Sequence, residues 1–125
     1  MIMNASFPKS EKLCGKLIVD QLYKQGKRFV AWPLRVSYIV SPDNANRILI
    51  WAPKSLFRHA VDRNRLRRQM REAYRLNKEM LSHSDTRYHI AFNYIDKTMQ
   101  DYSVISKAMK KALKKLSQVT DEKMD

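Results

Sequence analysis

Residues 58–81 read RHAVDRNRLRRQMREAYRLNKEML and contain neither Gly nor Pro. Most of these residues are Arg, Leu, Met, Ala or Glu, which all favour helices. One apolar stripe recurs along the stretch at helical spacing and consists of Leu66, Met70, Ala73, Tyr74 and Leu81. The bases that fall on a different face are Arg67, Arg68, Arg71, Arg75 and Lys78. We predict a long amphipathic helix whose regular part begins near Asp62, because Val61 does not fit the stripe.

Strand patterns lie on both sides of this helix. Residues 29–40 are rich in β-formers, and Pro33 should divide them into a short strand and a longer one. Residues 41–46 have turn composition, so we expect residues 47–51 to return as the second strand of a hairpin. Residues 88–95 alternate, with one clearly apolar face. This last strand must return to the same sheet, which predicts an α+β sandwich with helices covering a four-stranded sheet.

A helix is predicted at each end of the chain. Ser10 is a candidate N-cap for the first helix, whose buried face would hold Leu13, Leu17, Ile18 and Leu22, and Gly26 would end it. The last helix should cover residues 101–118, with residues 119–125 as a frayed acidic tail. Its apolar side would contain Tyr102, Ile105, Met109, Ala112, Leu113 and Leu116, and its other side Lys107, Lys110, Lys111, Lys114 and Lys115. The order is α-β-β-β-α-β-α in a single domain, 1–125, with its core at about 10–118.

Composition narrows the classes of function. The 125 residues include 25 Lys and Arg against 12 Asp and Glu, for a net charge of +13, which favours a polyanionic partner. With only Gly15 and Gly26, the chain can form neither a dinucleotide fingerprint nor a P-loop, and its single cysteine allows no internal disulfide. No apolar run approaches the roughly 18 residues that cross a bilayer. We therefore expect a cytoplasmic protein without a membrane partner.

The densest charge lies between residues 54 and 78, where nine bases face two acids and carry +7 of the +13. Seven of these bases are arginines, whose guanidinium groups bind phosphate through two hydrogen bonds and stack on bases. One alternative is a solvated helix face with the ion pairs Arg68–Glu72 and Arg75–Glu79. Another is a helix lying in a membrane interface. Two acids cannot neutralise seven arginines, so we favour a helix that binds polyphosphate.

The sequence gives little support for catalysis by the protein itself. Its three histidines, His59, His83 and His89, are scattered, and its carboxylates are dispersed among the elements. Neither pattern has the spacing of a metal site or of a carboxylate cluster. We therefore predict no catalytic residue and no protein-bound metal. His59 stands beside the arginines and is a candidate RNA contact.

Residues 60–72, AVDRNRLRRQMRE, closely resemble the signature of the bacterial ribonuclease P protein subunit. In that family an Arg-Asn-Arg core is followed by an apolar residue, two bases, two variable residues and Arg-Glu or Arg-Gln. The order of helices and strands around the motif agrees as well. The resemblance covers about residues 10–116.

The resemblance implies both an activity and a fold. The family's protein joins a catalytic RNA in an endoribonuclease that removes the 5′ leader of precursor tRNA. Magnesium ions held by the RNA perform the hydrolysis. The fold would be the ribosomal protein S5 domain 2-like fold, with a left-handed βαβ crossover, whereas periodicity alone would favour the right-handed one.

The resemblance also implies site residues. Contacts with the catalytic RNA would come from the motif residues Arg63, Asn64, Arg65, Arg67, Arg68 and Arg71. Three neighbouring residues, Lys54, Arg58 and His59, are further candidate RNA contacts because they lie beside these arginines in the sequence. The leader would lie in a cleft between the first helix and the sheet. Val19 and Tyr23 would line its helix side, and Arg35 and Ser37 its sheet side. Tyr23 suits stacking on single-stranded RNA.

Two other functions stay open at this point. A ribosomal or chaperone-like RNA-binding protein without a processing role would share the basic helix. A helical DNA-binding domain is disfavoured, because the arginine helix is flanked by strands and has no paired helix-turn-helix.

Overall fold

The computed structural model describes residues 12–13, 15–42, 45–82 and 86–124. Its elements are α1 (Lys16–Gln25), β1 (Lys27–Ala31), β2 (Leu34–Val40), β3 (Arg47–Trp51), α2 (Ala60–Asn77), α3 (Glu79–Ser82), β4 (Tyr88–Tyr94) and α4 (Tyr102–Met124). The predicted element order and the α+β class are confirmed. The short helix α3 is an addition between α2 and β4.

The four strands form one sheet in the order β1-β2-β4-β3. β1 and β2 form an antiparallel hairpin in which Ala31 lies opposite Leu34, so the predicted break at Pro33 is confirmed. β4 runs antiparallel to β2, and β3 runs parallel to β4. A parallel pair needs a crossover connection, which α2 and α3 supply here. The left hand of this crossover stays a prediction.

The predicted hairpin between residues 34–40 and 47–51 is wrong, because β4 lies between β2 and β3. β4 is buried along almost its whole length, so it takes a central position with a paired strand on each side. The segment after β2 instead joins the start of β4. The backbone N–H of Ser41 donates to the Arg87 carbonyl at 2.8 Å, and the Tyr88 N–H donates to Asn46 Oδ1 at 2.8 Å.

α2 and α4 pack against the same face of the sheet and enclose the larger core. The predicted apolar stripe of residues 66–81 is completely buried, and so is the apolar side of α4 from Ile105 to Leu116. The Tyr74 ring lies 6.2 Å from the Phe92 ring, centroid to centroid, which joins α2 to the middle of the sheet. The amphipathic patterns of both helices are therefore confirmed.

Two helix boundaries differ from the prediction. α2 begins at Ala60 rather than near Asp62, and Val61 is 76% exposed inside its first turn. A first-turn residue can be helical without facing the core, so the apolar stripe does not mark the start of the helix. α4 continues to Met124, past the predicted end at residue 118.

α1 covers the opposite face of the sheet and is shorter than predicted. It begins at Lys16, preceded by Gly15 at φ 105°, a conformation that favours glycine; the predicted cap Ser10 lies outside the described residues. Leu22 is buried, but Leu17 is 83% exposed and Ile18 is also exposed, so two of the four residues predicted for the buried face are wrong.

The residues next to α1 complete its packing. Leu13 is buried before the helix begins, and its N–H donates to the Ile48 carbonyl at 2.8 Å. Gly26 ends α1 as predicted, with its N–H donating to the Leu22 carbonyl. A Cβ at Gly26 would lie 2.4 Å from that oxygen and 2.7 Å from the Tyr38 carbonyl oxygen, so glycine is required where the helix end meets β2.

Candidate nucleic-acid interface

All nine residues predicted to contact the catalytic RNA lie on α2 or on the segment that leads into it. Lys54, Arg58 and His59 are exposed in that segment. Within α2, Asn64, Arg65 and Arg68 are exposed, whereas Arg63, Arg67 and Arg71 are half-buried. Residues two apart, such as Arg65 and Arg67, point about 160° apart around a helix. The basic groups therefore surround the exposed side of α2 rather than forming a single line.

Arg63 fixes the segment that leads into α2. Its Nη1 donates to the Phe57 carbonyl at 2.8 Å and to the Arg58 carbonyl at 3.0 Å. The Phe57 ring packs edge-on against Tyr94 with centroids 5.6 Å apart, which ties the segment to β4. Arg58 and His59 are thus held next to the first turn of α2. A guanidinium group has five N–H donors, so Arg63 keeps donors for a ligand.

Three arginines further along α2 lie close enough to influence one another. Burial, together with the positive charges of Arg67 and Arg68, lowers the pKa of Arg71 below its ordinary value. Arg67 Nη2 also donates to Asn64 Oδ1, which orients both side chains of that pair. An anion placed between these guanidinium groups would offset their mutual repulsion. The surface is therefore suited to phosphate.

The acids of α2 leave most of its charge unpaired. Glu72 pairs with Arg75 through Nη2 and Oε2 at 2.7 Å, and the hydrogen bond from Arg75 lowers the pKa of the Glu72 carboxyl. The interpretation as a solvated face expected the pairs Arg68–Glu72 and Arg75–Glu79 instead. In the described part of the chain, six arginines have no carboxylate partner: Arg58, Arg63, Arg65, Arg67, Arg68 and Arg71.

A second surface lies on the face of the sheet that α1 covers only in part. Val19 and Tyr23 are half-buried on the inner side of α1, and Tyr23 Oη donates to Asn93 Oδ1 of β4 at 3.1 Å. Strand register places four residues in one row across the sheet, which we call the open row: Val30, Arg35, Asn93 and Trp51. Asn93 is half-buried and the other three are exposed, so the row forms an accessible floor beside α1.

The four residues predicted to bind the leader occupy different depths on this face. Val19 and Tyr23 are half-buried on α1, and Tyr23 contacts Asn93 of the open row. Arg35 is an exposed member of that row. Ser37 lies one row further under α1, opposite Arg28 and Ala91, and is 2% exposed. It therefore forms part of the buried support for the surface. The leader contacts of all four stay predictions.

Sequence reasoning missed three members of the open row: Val30, Asn93 and Trp51. Their position depends on β4 lying between β2 and β3, which the alternation of each strand does not reveal. A signal for Trp51 was present, because a large aromatic residue at a strand end immediately precedes the basic segment beginning at Lys54. Aromatic residues beside positive charge are typical of single-strand RNA sites.

The described residues contain neither a cluster of metal ligands nor a helix that could span a membrane. None of their histidines and carboxylates form a group of three or more that could hold a metal ion. None of the helices in those residues has the length and apolarity needed to span a bilayer.

Residues 7–117 match the family Ribonuclease P. The chain belongs to the ribonuclease P protein family. The ribonuclease P protein component of Porphyromonas gingivalis is 36% identical over 112 residues, which cover 84% of this chain and 82% of that protein. The component of Chlorobaculum tepidum is 40% identical over 83 residues, covering 62% and 54%.

Solved structures of the family have the same fold. The ribonuclease P protein of Staphylococcus aureus superposes with a TM-score of 0.71 at 22% identity, covering 90% of this chain and 99% of that protein. The protein of Thermotoga maritima also gives 0.71, at 21% identity, covering 84% and 96%. Family membership makes this chain an RNA-binding subunit of the ribonuclease P endoribonuclease. The comparisons give no support to a ribosomal or chaperone-like protein.

Proposed function

We propose that the chain docks on the catalytic RNA of ribonuclease P through α2 and holds the 5′ leader of precursor tRNA between α1 and the open row. The observation that carries this proposal is the group of six arginines in residues 58–71 that have no carboxylate partner in the described structure. Such a surface attracts polyanions.

On α2, the guanidinium groups supply the docking contacts. Each can donate two parallel hydrogen bonds to a phosphate, which fixes orientation as well as adding affinity. Arg63 holds the segment before α2 through two carbonyl oxygens, and Asn64 restrains Arg67. Because these side chains are partly ordered before RNA arrives, less conformational entropy is lost on binding.

On the sheet side, the leader would lie as a single strand along the open row. Trp51 offers an exposed indole ring for base stacking, and Tyr23 a half-buried ring at the edge of α1. Arg35 adds a positive charge on β2, which lies between β1 and the strand β4 that Tyr23 contacts. Stacking of one base on an aromatic side chain contributes about 1–3 kcal/mol and tolerates any sequence. This combination favours leader binding with little preference for particular bases.

The chemistry in this proposal belongs to the RNA subunit. Magnesium ions held by that RNA would supply the hydrolytic activity, and the described protein residues offer no cluster of metal ligands. The protein contributes binding and orientation of the leader. We place this function in the cytoplasm.

Reconstitution tests the proposal directly. Protein, catalytic RNA and precursor tRNA are mixed at low magnesium concentration, and 5′-leader release is followed on a denaturing gel. We expect the protein to accelerate cleavage and the protein without RNA to cut nothing. Cleavage by the protein alone, or no acceleration by well-folded protein, would contradict the proposal.

Salt dependence tests the docking surface separately. Neutralising about five phosphates predicts a log–log slope of affinity against salt of about −3.5 to −4.5. A nearly flat response for the catalytic RNA would show that α2 does not engage its backbone.

A further inference from the structure

α4 carries a second basic surface. Between residues 102 and 118 it contains five lysines and no acid, and all five lysines are exposed. Lys115 Nζ lies 4.6 Å above the centre of the Phe29 ring and so packs against β1. The remaining four, Lys107, Lys110, Lys111 and Lys114, are called the lysine stripe here. The described residues offer none of these four a carboxylate partner.

The lysine stripe faces away from the proposed leader site. α4 packs its apolar side, including Met109 and Leu113, into the core shared with α2. α1 and the open row lie on the opposite face of the same sheet. A single strand lying on the open row therefore cannot also lie along the lysine stripe without passing around the domain. A polyanion bound along the stripe would be a different stretch from the strand on the open row.

The chemistry of this surface differs from that of α2 and of the open row. The exposed side of α4 has no aromatic residue on which an unpaired base could stack. Lysine is a compact point charge on a flexible stem and lacks the fork of arginine. Double-stranded RNA conceals its bases and is recognised through shape, phosphates and 2′-hydroxyls. Along α4, positions 107 to 114 span about 10 Å, so the stripe can meet several phosphates.

We propose that the lysine stripe binds the phosphate backbone of a double-helical RNA segment, separate from the leader. This inference rests on the proposed function, since it assigns a second contact to the same RNA-bound protein. The protein would then hold structured RNA on the α4 side of the sheet and the leader on the α1 side.

The test compares two matched quadruple variants at residues 107, 110, 111 and 114. One replaces each lysine by Gln and removes four charges, and the other replaces each by Arg and keeps them. Circular dichroism and thermal melting establish that both fold. Affinities are measured for the catalytic RNA, for an RNA duplex of about 20 base pairs and for a single-stranded leader oligonucleotide, each over a range of salt concentrations.

For the Gln variant, we expect at least tenfold weaker binding to the catalytic RNA and to the duplex. Its log–log salt slope should be less steep by about 3, since each lost phosphate contact removes about 0.7–0.9. Binding to the leader oligonucleotide should change less than twofold, and the Arg variant should retain the wild-type slope.

Several outcomes would overturn the inference. An unchanged slope and affinity for both structured RNAs in the Gln variant would show that the stripe is only a solvated face. Equal weakening toward the leader oligonucleotide would show a diffuse effect of net charge. Binding of the wild-type protein, but not the Gln variant, to anionic lipid vesicles without any change in RNA affinity would assign the stripe to a membrane. In each case leader cleavage by the wild-type holoenzyme still tests the proposed function independently.

Discussion

The two faces of the sheet are covered to very different extents. Among the described residues, the face under α2 and α4 belongs to a cluster of 22 buried side chains. The face under α1 has a buried cluster of three, Leu13, Leu22 and Ala91, with half-buried neighbours around it. Burial of apolar surface contributes about 25 cal/mol per Å², so the first face holds most of the stability.

Among the described residues, this difference leaves part of the second face uncovered. A ten-residue helix covers only part of the sheet, so Val30, Arg35 and Trp51 stay exposed beside it. The fold tolerates the exposure of Val30 and Trp51, because the core between the sheet and α2 and α4 does not depend on them. The fold thus separates stability on one face from the proposed leader site on the other, and substitutions on each face can test the separation.

The largest effect is expected from Phe92→Ala. Phe92 is fully buried in the central strand β4 and packs against Tyr74. Removing the ring leaves a cavity, and such truncations cost about 3–5 kcal/mol. Chemical denaturation should show this loss, with Phe92→Leu as a milder control. A loss below 1 kcal/mol would mean that the α2 and α4 face does not dominate stability.

On the other face, Leu22→Ala should cost less, about 2–3 kcal/mol, because α1 can settle onto the small cluster around Leu13 and Ala91. Amide hydrogen exchange should accelerate in α1 through local opening. The amides of β4 and α2 should still exchange only through global unfolding. If Leu22→Ala were as costly as Phe92→Ala, the two faces would form a single cooperative core.

The sequence predicted burial best in the long helices, where many apolar residues recur on one face. α2 and α4 are long, and every predicted member of their apolar stripes is buried except Tyr102, which is half-buried. α1 has only ten residues, and of the four residues predicted for its buried face Leu17 and Ile18 are exposed, while Leu13 is buried but lies before the helix. α1 begins after Gly15, whose φ is positive, and the spacing of apolar residues does not reveal that backbone conformation.

Strand pairing was harder to predict, and so was the open row, because its position depends on that pairing. The alternation of a strand shows which residues share a face, but not which strand lies beside it. Trp51 and Asn93 lie in one row with Arg35 only because β4 pairs with both β2 and β3, and the sequence does not reveal that pairing. The arginines of α2 needed no such information, because their surface is local to one helix.

A smaller effect is expected from Tyr23→Phe, which keeps the ring and removes the 3.1 Å hydrogen bond to Asn93 Oδ1. The loss of stability should be about 0.5–1.5 kcal/mol, the net value of one hydrogen bond. Affinity for a leader oligonucleotide should fall more in Tyr23→Ala than in Tyr23→Phe, because stacking requires the ring. Equal losses in the two variants would place the contribution in the hydroxyl group and not in the ring.

The smallest effect on stability is expected from Arg68→Ala. Arg68 is exposed and has no carboxylate partner in the described structure, so the free energy of unfolding should change by less than about 0.5 kcal/mol. Affinity for the catalytic RNA should nevertheless fall, with a salt slope less steep by about 1, while Arg68→Lys keeps the slope but loses the two-point contact. Because Arg68 also contributes to lowering the pKa of Arg71, its removal relieves repulsion within α2. A destabilised Arg68→Ala would therefore mean that the arginine supports the fold, and the separation of stability from RNA binding would not extend to α2.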